Sequence, residues 1–259
     1  MNELKTKKKC VALIDVYGYS SFIRDDQDHF LNLFDKSIKK CLSILEKRFS
    51  NAFEYRMYSD NILIYPTEFG KNDIEDARLL CKLLELSNKI QKTLLVEGNL
   101  FSRGSIVIDY FFASDRYVFG DAIIKAHELE KKCRFPFITI DPSILNYFTD
   151  EQVKKELSEL MVFKTITTSP TFDEDLDEHE IMRYMDYIMV TYNDDYSGTI
   201  ISSAFQKTIA KYRENLTYSK QYVYDYDKKK NLLNAMEKYL EARKHLIERR
   251  LPPSIATDL

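Results

Sequence analysis

Two aspartates carry the first suggestion of chemistry in this chain. Asp15 falls near the end of the apolar run Val11-Ala-Leu-Ile-Asp15-Val16, and Asp60 stands in the polar step Ser59-Asp60-Asn61 between two apolar runs. Two carboxylates at one place repel each other unless a cation lies between them. Hard oxygen donors of this kind suit Mg2+ or Mn2+, ions that usually work alongside substrate phosphates. Val16-Tyr17-Gly18-Tyr19-Ser20 follows Asp15 and reads as a turn entering a helix N-terminus, where backbone amides and the helix dipole can hold phosphate oxygens. Each feature also has a purely local reading. Asp15 can cap the following helix, and Ser59-Asp60-Asn61 is ordinary hairpin chemistry.

Whether the two acids meet depends on the elements that carry them. The β-branched run over 11–16 predicts a buried strand, and apolar residues at helical spacing (Phe30, Leu33, Phe34, Ile38, Cys41, Leu42, Leu45) predict a helix within 22–49. Residues 52–58 and 61–65 read as a hairpin joined at Ser59-Asp60, and 73–96 as a second helix. A strand over 103–109 running on into 110–112, a helix over 120–132 and a strand over 137–140 complete the first 140 residues. This order is α+β, the ferredoxin-like split βαβ arrangement with one added helix. A right-handed crossover makes the first two strands parallel, so the end of the first lies at the same sheet edge as the turn after the second. If the first strand inserts beside the third, Asp15 and Asp60 become neighbours.

Beyond Asp141-Pro142 the pattern loosens. Residues 171–180 read as an acidic loop, 184–190 as a strand or short helix, and 202–250 as one long helix or two. The division expected is a core over 1–145 and a helical C-terminal extension over 146–259, packing on the core, on a dimer partner or on both.

With 38 Lys and Arg against 41 Asp and Glu, the chain lacks the basic excess of a nucleic-acid or membrane-surface binder. Cys10, Cys41, Cys81 and Cys133 form no CxxC pair, which argues against a zinc knuckle and for reduced cysteines in a cytoplasmic protein. No apolar run approaches the length of a membrane span. His29, His127, His179 and His245 have no ligand spacing and no nucleophile partner in sequence.

Four ordered segments resemble the class III nucleotidyl cyclase catalytic domain. Residues 11–20, ending Asp15-Val-Tyr-Gly18-Tyr19-Ser20, resemble that family's first-acid segment. Glu54-Tyr-Arg-Met-Tyr-Ser59-Asp60 resembles its second-acid hairpin, and Arg103-Gly104-Ser105-Ile106 its Arg-x-Gly-Ile strand. Phe119-Gly120-Asp121-Ala122 through Ala126-His-Glu-Leu-Glu130 resembles its following helix. Within the family the likeness is closest to the bacterial antiphage pyrimidine cyclases.

The resemblance implies a homodimer with composite sites and conversion of UTP, or alternatively CTP, into the 3′,5′-cyclic monophosphate and pyrophosphate. The product would be a second messenger for a separate effector that the enzyme does not contact. It implies two Mn2+ or Mg2+ ions per site, held by Asp15, Asp60 and the main chain of Val16. Val16, Tyr17, Gly18, Tyr19 and Ser20 would contact the phosphates, and Arg56 and Tyr117 occupy the base-selecting positions. A guanidinium donates and accepts nothing, so Arg56 matches the carbonyl oxygens of uracil better than the amine of cytosine. Ile124 and Glu128 stand where the purine cyclases carry a transition-state Asn and Arg. Arg103, Lys125 and Arg116 are the cations available to replace them. Two other readings follow: a catalytically weak nucleotide-binding module, and an interaction protein that needs neither acid.

Overall fold

The computed structural model describes residues 5–17, 27–49, 51–132, 136–167, 183–185, 198–218 and 226–249. Strand β1 (Lys7–Val16) leads to α1 (Gln27–Phe49), the hairpin β2 (Phe53–Tyr58) and β3 (Asn61–Pro66), helix α2 (Asp73–Gly98) and β4 (Ser102–Ala113). Then come β5 (Val118–Phe119), α3 (Asp121–Lys132) and β6 (Ile138–Ile140). A 3-10 turn (Ile144–Tyr147) precedes α4 (Glu151–Lys164), β7 (Thr165–Thr167), β8 (Arg183–Met185), α5 (Gly198–Tyr218) and α6 (Tyr226–Arg249).

The described strands form a sheet in the order β2-β3-β1-β4-β6-β8-β7, with β5 folding back on the end of β4. Its first four strands have the ferredoxin-like order, and β1 inserts antiparallel between β3 and β4, as the sequence requires for the acids to meet. Because β1 is central, Cys10 through Ile14 are fully buried. The two-residue period sorts them to opposite faces. Cys10, Ala12 and Ile14 join Ile62, Ile64, Ile106 and Ile108 under α1 and α2. Val11 and Leu13 join Leu63 and Val107 under α3, α5 and α6. Both faces are therefore covered by helices. On β1 the same alternation carries Asp15 onto the α3 face, and on β4 it places Arg103 and Ser105 there too, where Ser105 Oγ donates to the Ala126 carbonyl at 2.7 Å.

Two local features hold the frame. Asn72 caps α2 by accepting the Glu75 amide, and Asn99 closes it in the left-handed conformation. Buried Asp76 accepts the Gly70 amide at 2.8 Å and the Tyr147 hydroxyl at 2.6 Å, tying α2 to the turn after β6.

Several expectations change. The strand expected over 103–109 and on into 110–112 spans Ser102–Ala113, and beyond it the chain turns back as β5. A 14-residue helix, α4, fills the stretch that looked patternless, since only Val153 and Leu157 of its described residues are buried. Strands β7 and β8 have three residues each, too few for a periodic signal. The 202–250 region is two helices, the first beginning at Gly198. The acidic stretch 171–180, residues 186–190, Gly18, Tyr19, Ser20 and Cys133 lie outside the described residues. No helix among the described residues is long and apolar enough to cross a membrane.

Candidate active site

Asp15 is the next-to-last residue of β1, in register with Asn61 of β3 and Arg103 of β4. Asp60 lies in the β2–β3 turn, after Ser59 in the left-handed region. Its carbonyl accepts the Val16 amide at 3.3 Å, fastening the turn to the strand exit. The two carboxyl groups lie within hydrogen-bonding reach of each other. Burial, then the neighbouring Asp60 charge, push the Asp15 carboxyl up to about 7; Arg103 opposes the shift and Glu130 adds to it. Only 14% of the Asp15 side chain is exposed.

Arg103 Nε donates to Asp15 Oδ2 at 3.2 Å and also pairs with Glu130 of α3. Its guanidinium lies 5.5 Å from the centre of the Tyr17 ring. Glu130 is buried, and that burial raises its carboxyl above the ordinary range against the pull of Arg103. Tyr58 lies at the rim, with its hydroxyl 3.3 Å from His127 Nε2. Burial raises this phenol, and the charges of Asp15 and Glu130 raise it further. Glu130, Tyr58 and His127 are the neighbours that sequence reasoning did not assign. The i, i+3 spacing of His127 and Glu130 on α3 is the signal by which those two could have been found; Tyr58, on β2, left none.

The chemistry of this donor set fits a divalent cation. Two carboxylates that repel each other away from water gain from a positive ion between them, and both present hard oxygen donors. Among the described residues no three His, Cys, Asp or Glu side chains form a metal cage. A bound ion would need backbone or substrate oxygens to complete its shell.

The remaining expected residues fall elsewhere. Lys125 pairs with Asp141 at 2.7 Å and Asp109 at 3.8 Å, and donates to Ser143 at 3.1 Å. Asp109 is six residues along β4 from Arg103, roughly 20 Å at strand rise, so Lys125 does not join Asp15 within one chain. Arg56, on the α3 face of β2, donates to the Ser114 carbonyl at 3.2 Å. Ser114 opens the β4–β5 turn that carries Arg116 and Tyr117, and its amide donates to the Tyr117 carbonyl at 2.9 Å. Arg56 and Tyr117 are thus gathered around one turn. Arg116 is exposed there, its amide bonded to Ser114 Oγ at 3.3 Å. Tyr17 donates its amide to the Phe101 carbonyl at 2.8 Å.

No protein-family model and no curated protein sequence matches this chain. Solved structures similar to it include the adenylyl cyclase CyaB from P. aeruginosa, 13% identical, covering 75% of this chain and 100% of that one, with a TM-score of 0.47. The non-canonical dimeric guanylyl cyclase domain of the RhoGC fusion protein from Blastocladiella emersonii is 13% identical over 70% of this chain and 96% of its own, TM-score 0.44. A bacterial light-regulated adenylyl cyclase is 13% identical over 80% of this chain and 100% of its own, TM-score 0.44.

Proposed function

We propose that the protein is a nucleotidyl cyclase that converts UTP into 3′,5′-cyclic UMP and pyrophosphate. The observation that carries this reading is the convergence of Asp15 and Asp60 at one sheet edge, with the Asp15 carboxyl pushed up by burial and by its neighbour. In the reaction the ribose 3′-oxygen attacks the α-phosphorus, forming one O–P bond. The bond to the bridging oxygen breaks, pyrophosphate leaves, and the hydroxyl proton passes to solvent. Bound Mn2+ or Mg2+ supplies Lewis acidity toward the hydroxyl and the triphosphate. Asp15 and Asp60, with the main chain of Val16, hold that charge in place. Arg103 keeps Asp15 oriented through its bond to Oδ2. The main chain from Val16 to Ser20 takes the phosphates. Arg56 offers donors only, which suits the carbonyl oxygens of uracil, and the Tyr117 ring narrows the base pocket.

In this reading Lys125, Arg116, Arg56 and Tyr117 of one copy serve the site of another, as composite sites in a homodimer require. Tyr110, Tyr117, Phe119 and Ile124 are large apolar residues left 46–66% exposed around the β4–β5 hairpin and the start of α3, apolar surface that a second copy would cover. Phe119→Glu combined with Ile124→Glu is expected to convert a dimer to a monomer in light-scattering chromatography and to lose turnover with the fold intact. A wild-type monomer at micromolar concentration would contradict the composite site. As in the antiphage cyclases that the sequence resembles, the product would act as a second messenger on a separate effector.

The deciding assay incubates the protein with UTP, CTP, ATP and GTP in turn, with Mn2+, and resolves products by mass. Cyclic UMP in excess is the expected result, and a purine product would refute the base assignment. One observation favours a second reading, a nucleotide-binding module of little activity. Ile124, 60% exposed, and Glu128 put an apolar and an acidic side chain at those α3 positions, and neither steadies developing negative charge. That reading predicts nucleotide binding without turnover in the same assay.

A further inference from the structure

Helix α5 touches the sheet where β1 leaves it and β4 enters. The hydroxyl of Tyr212 on α5 donates to the Tyr17 carbonyl at 2.5 Å, and the same oxygen faces the backbone amide of Phe101. The Tyr212 ring stacks on Tyr17 at 6.2 Å with planes 24° apart, and lies 5.2 Å from Phe101. Tyr17 is two residues past Asp15, and Phe101 two residues before Arg103. The last ladder pair of β1 is Val16 with Ser102, so the Tyr17 carbonyl lies beyond the sheet's own hydrogen bonds. The Tyr17 amide bonds the Phe101 carbonyl at 2.8 Å, whereas its own carbonyl takes its partner from outside the sheet. That partner is a side chain 195 positions away. The Tyr17 ring in turn lies beneath the Arg103 guanidinium, which bonds Asp15. Helix α5 is itself braced by α6, through Arg213 to Glu237 at 2.7 Å and to Asn234 at 2.8 Å.

We propose that Tyr212 is a positioning residue for the metal-binding carboxylate pair, fixing the exit of β1 so that Asp15 and Arg103 keep their relative placement. The proposal rests on the two-acid reading of the site. It gives the C-terminal helices a role in the chemistry although none of their described residues joins the acid cluster.

The test is a titration of the full chain with Mn2+ alone, followed by electron paramagnetic resonance. Wild-type protein is expected to bind Mn2+ in a manner that Asp60→Asn abolishes. Tyr212→Phe keeps the ring and removes only the donor. It is expected to weaken Mn2+ binding by about three- to tenfold, the range for loss of one hydrogen bond, with a melting temperature close to wild type. Arg213→Ala loosens α5 from α6 without touching Tyr17, and is expected to leave Mn2+ affinity unchanged. Wild-type affinity in Tyr212→Phe, beside Asp60-dependent binding by the wild type, removes the role of Tyr212 and leaves the site reading standing. Equal weakening in Arg213→Ala makes the effect one of general stability and overturns the proposal. Absence of Asp60-dependent binding in the wild type defeats the site reading, and this inference with it.

Discussion

Replacing Asp15 by Asn is expected to abolish turnover, by about a thousandfold or more, while raising the melting temperature of the metal-free protein. The two effects have one cause. Burial and Asp60 push the Asp15 carboxyl up to about 7, so the folded chain holds that proton more tightly than the unfolded chain does. Stability from this group is complete below the ordinary carboxylate range and is lost as pH climbs toward 7. Asn keeps the shape of the protonated acid at every pH. In EDTA at pH 8, Asp15→Asn is expected to melt higher than wild type by on the order of 3 °C, a difference that closes near pH 4. Adding Mn2+ should reverse the order, because only the wild type gains from binding. Asp60→Asn should lose turnover to the same extent. Melting curves with and without Mn2+ check this, and a variant that turned over at a tenth of wild type would rule out the two-acid site.

Gly104→Ala is expected to cost more than about 4 kcal/mol and to leave little folded protein, for reasons unrelated to chemistry. Gly104 pairs with Ile14, and a methyl group there would come 2.1 Å from the Leu13 carbonyl oxygen and 3.1 Å from the Ile14 Cα. Both are backbone atoms of a central strand fixed on both sides by β3 and β4, so neither can give way. Gly70→Ala is the contrasting case. Gly70 has a φ of +88°, but the nearest atom to an added methyl is the Tyr147 hydroxyl at 3.9 Å. There the cost is conformational only, about 1–2 kcal/mol. Urea denaturation of both variants measures the difference, and a Gly104→Ala protein as stable as Gly70→Ala would show that β1 and β4 can separate.

The sheet edge that carries the acids was legible in the sequence because each step that builds it is local. An apolar β-branched run, a helical repeat and a Ser-Asp-Asn turn identify themselves over a few residues, and the handedness of the crossover then places two chain positions at one edge. The short strands β7 and β8 escaped because three residues carry no period, and helix α4 because only Val153 and Leu157 of its described side chains are buried.

The partners of the acids depended on tertiary structure. Sequence spacing named Arg103 as a cation near the site but could not say that it would bridge Asp15 and Glu130, residues 88 and 27 positions away. It offered Lys125 as a second, less well placed cation, and the fold gives that ammonium to Asp141 and Asp109 instead. Nothing around Tyr212 hints at Tyr17. A hydrogen bond or an ion pair leaves no periodicity in a sequence, because its energy depends on distance in space and on loss of water, and both are set only when the sheet and its helices have packed.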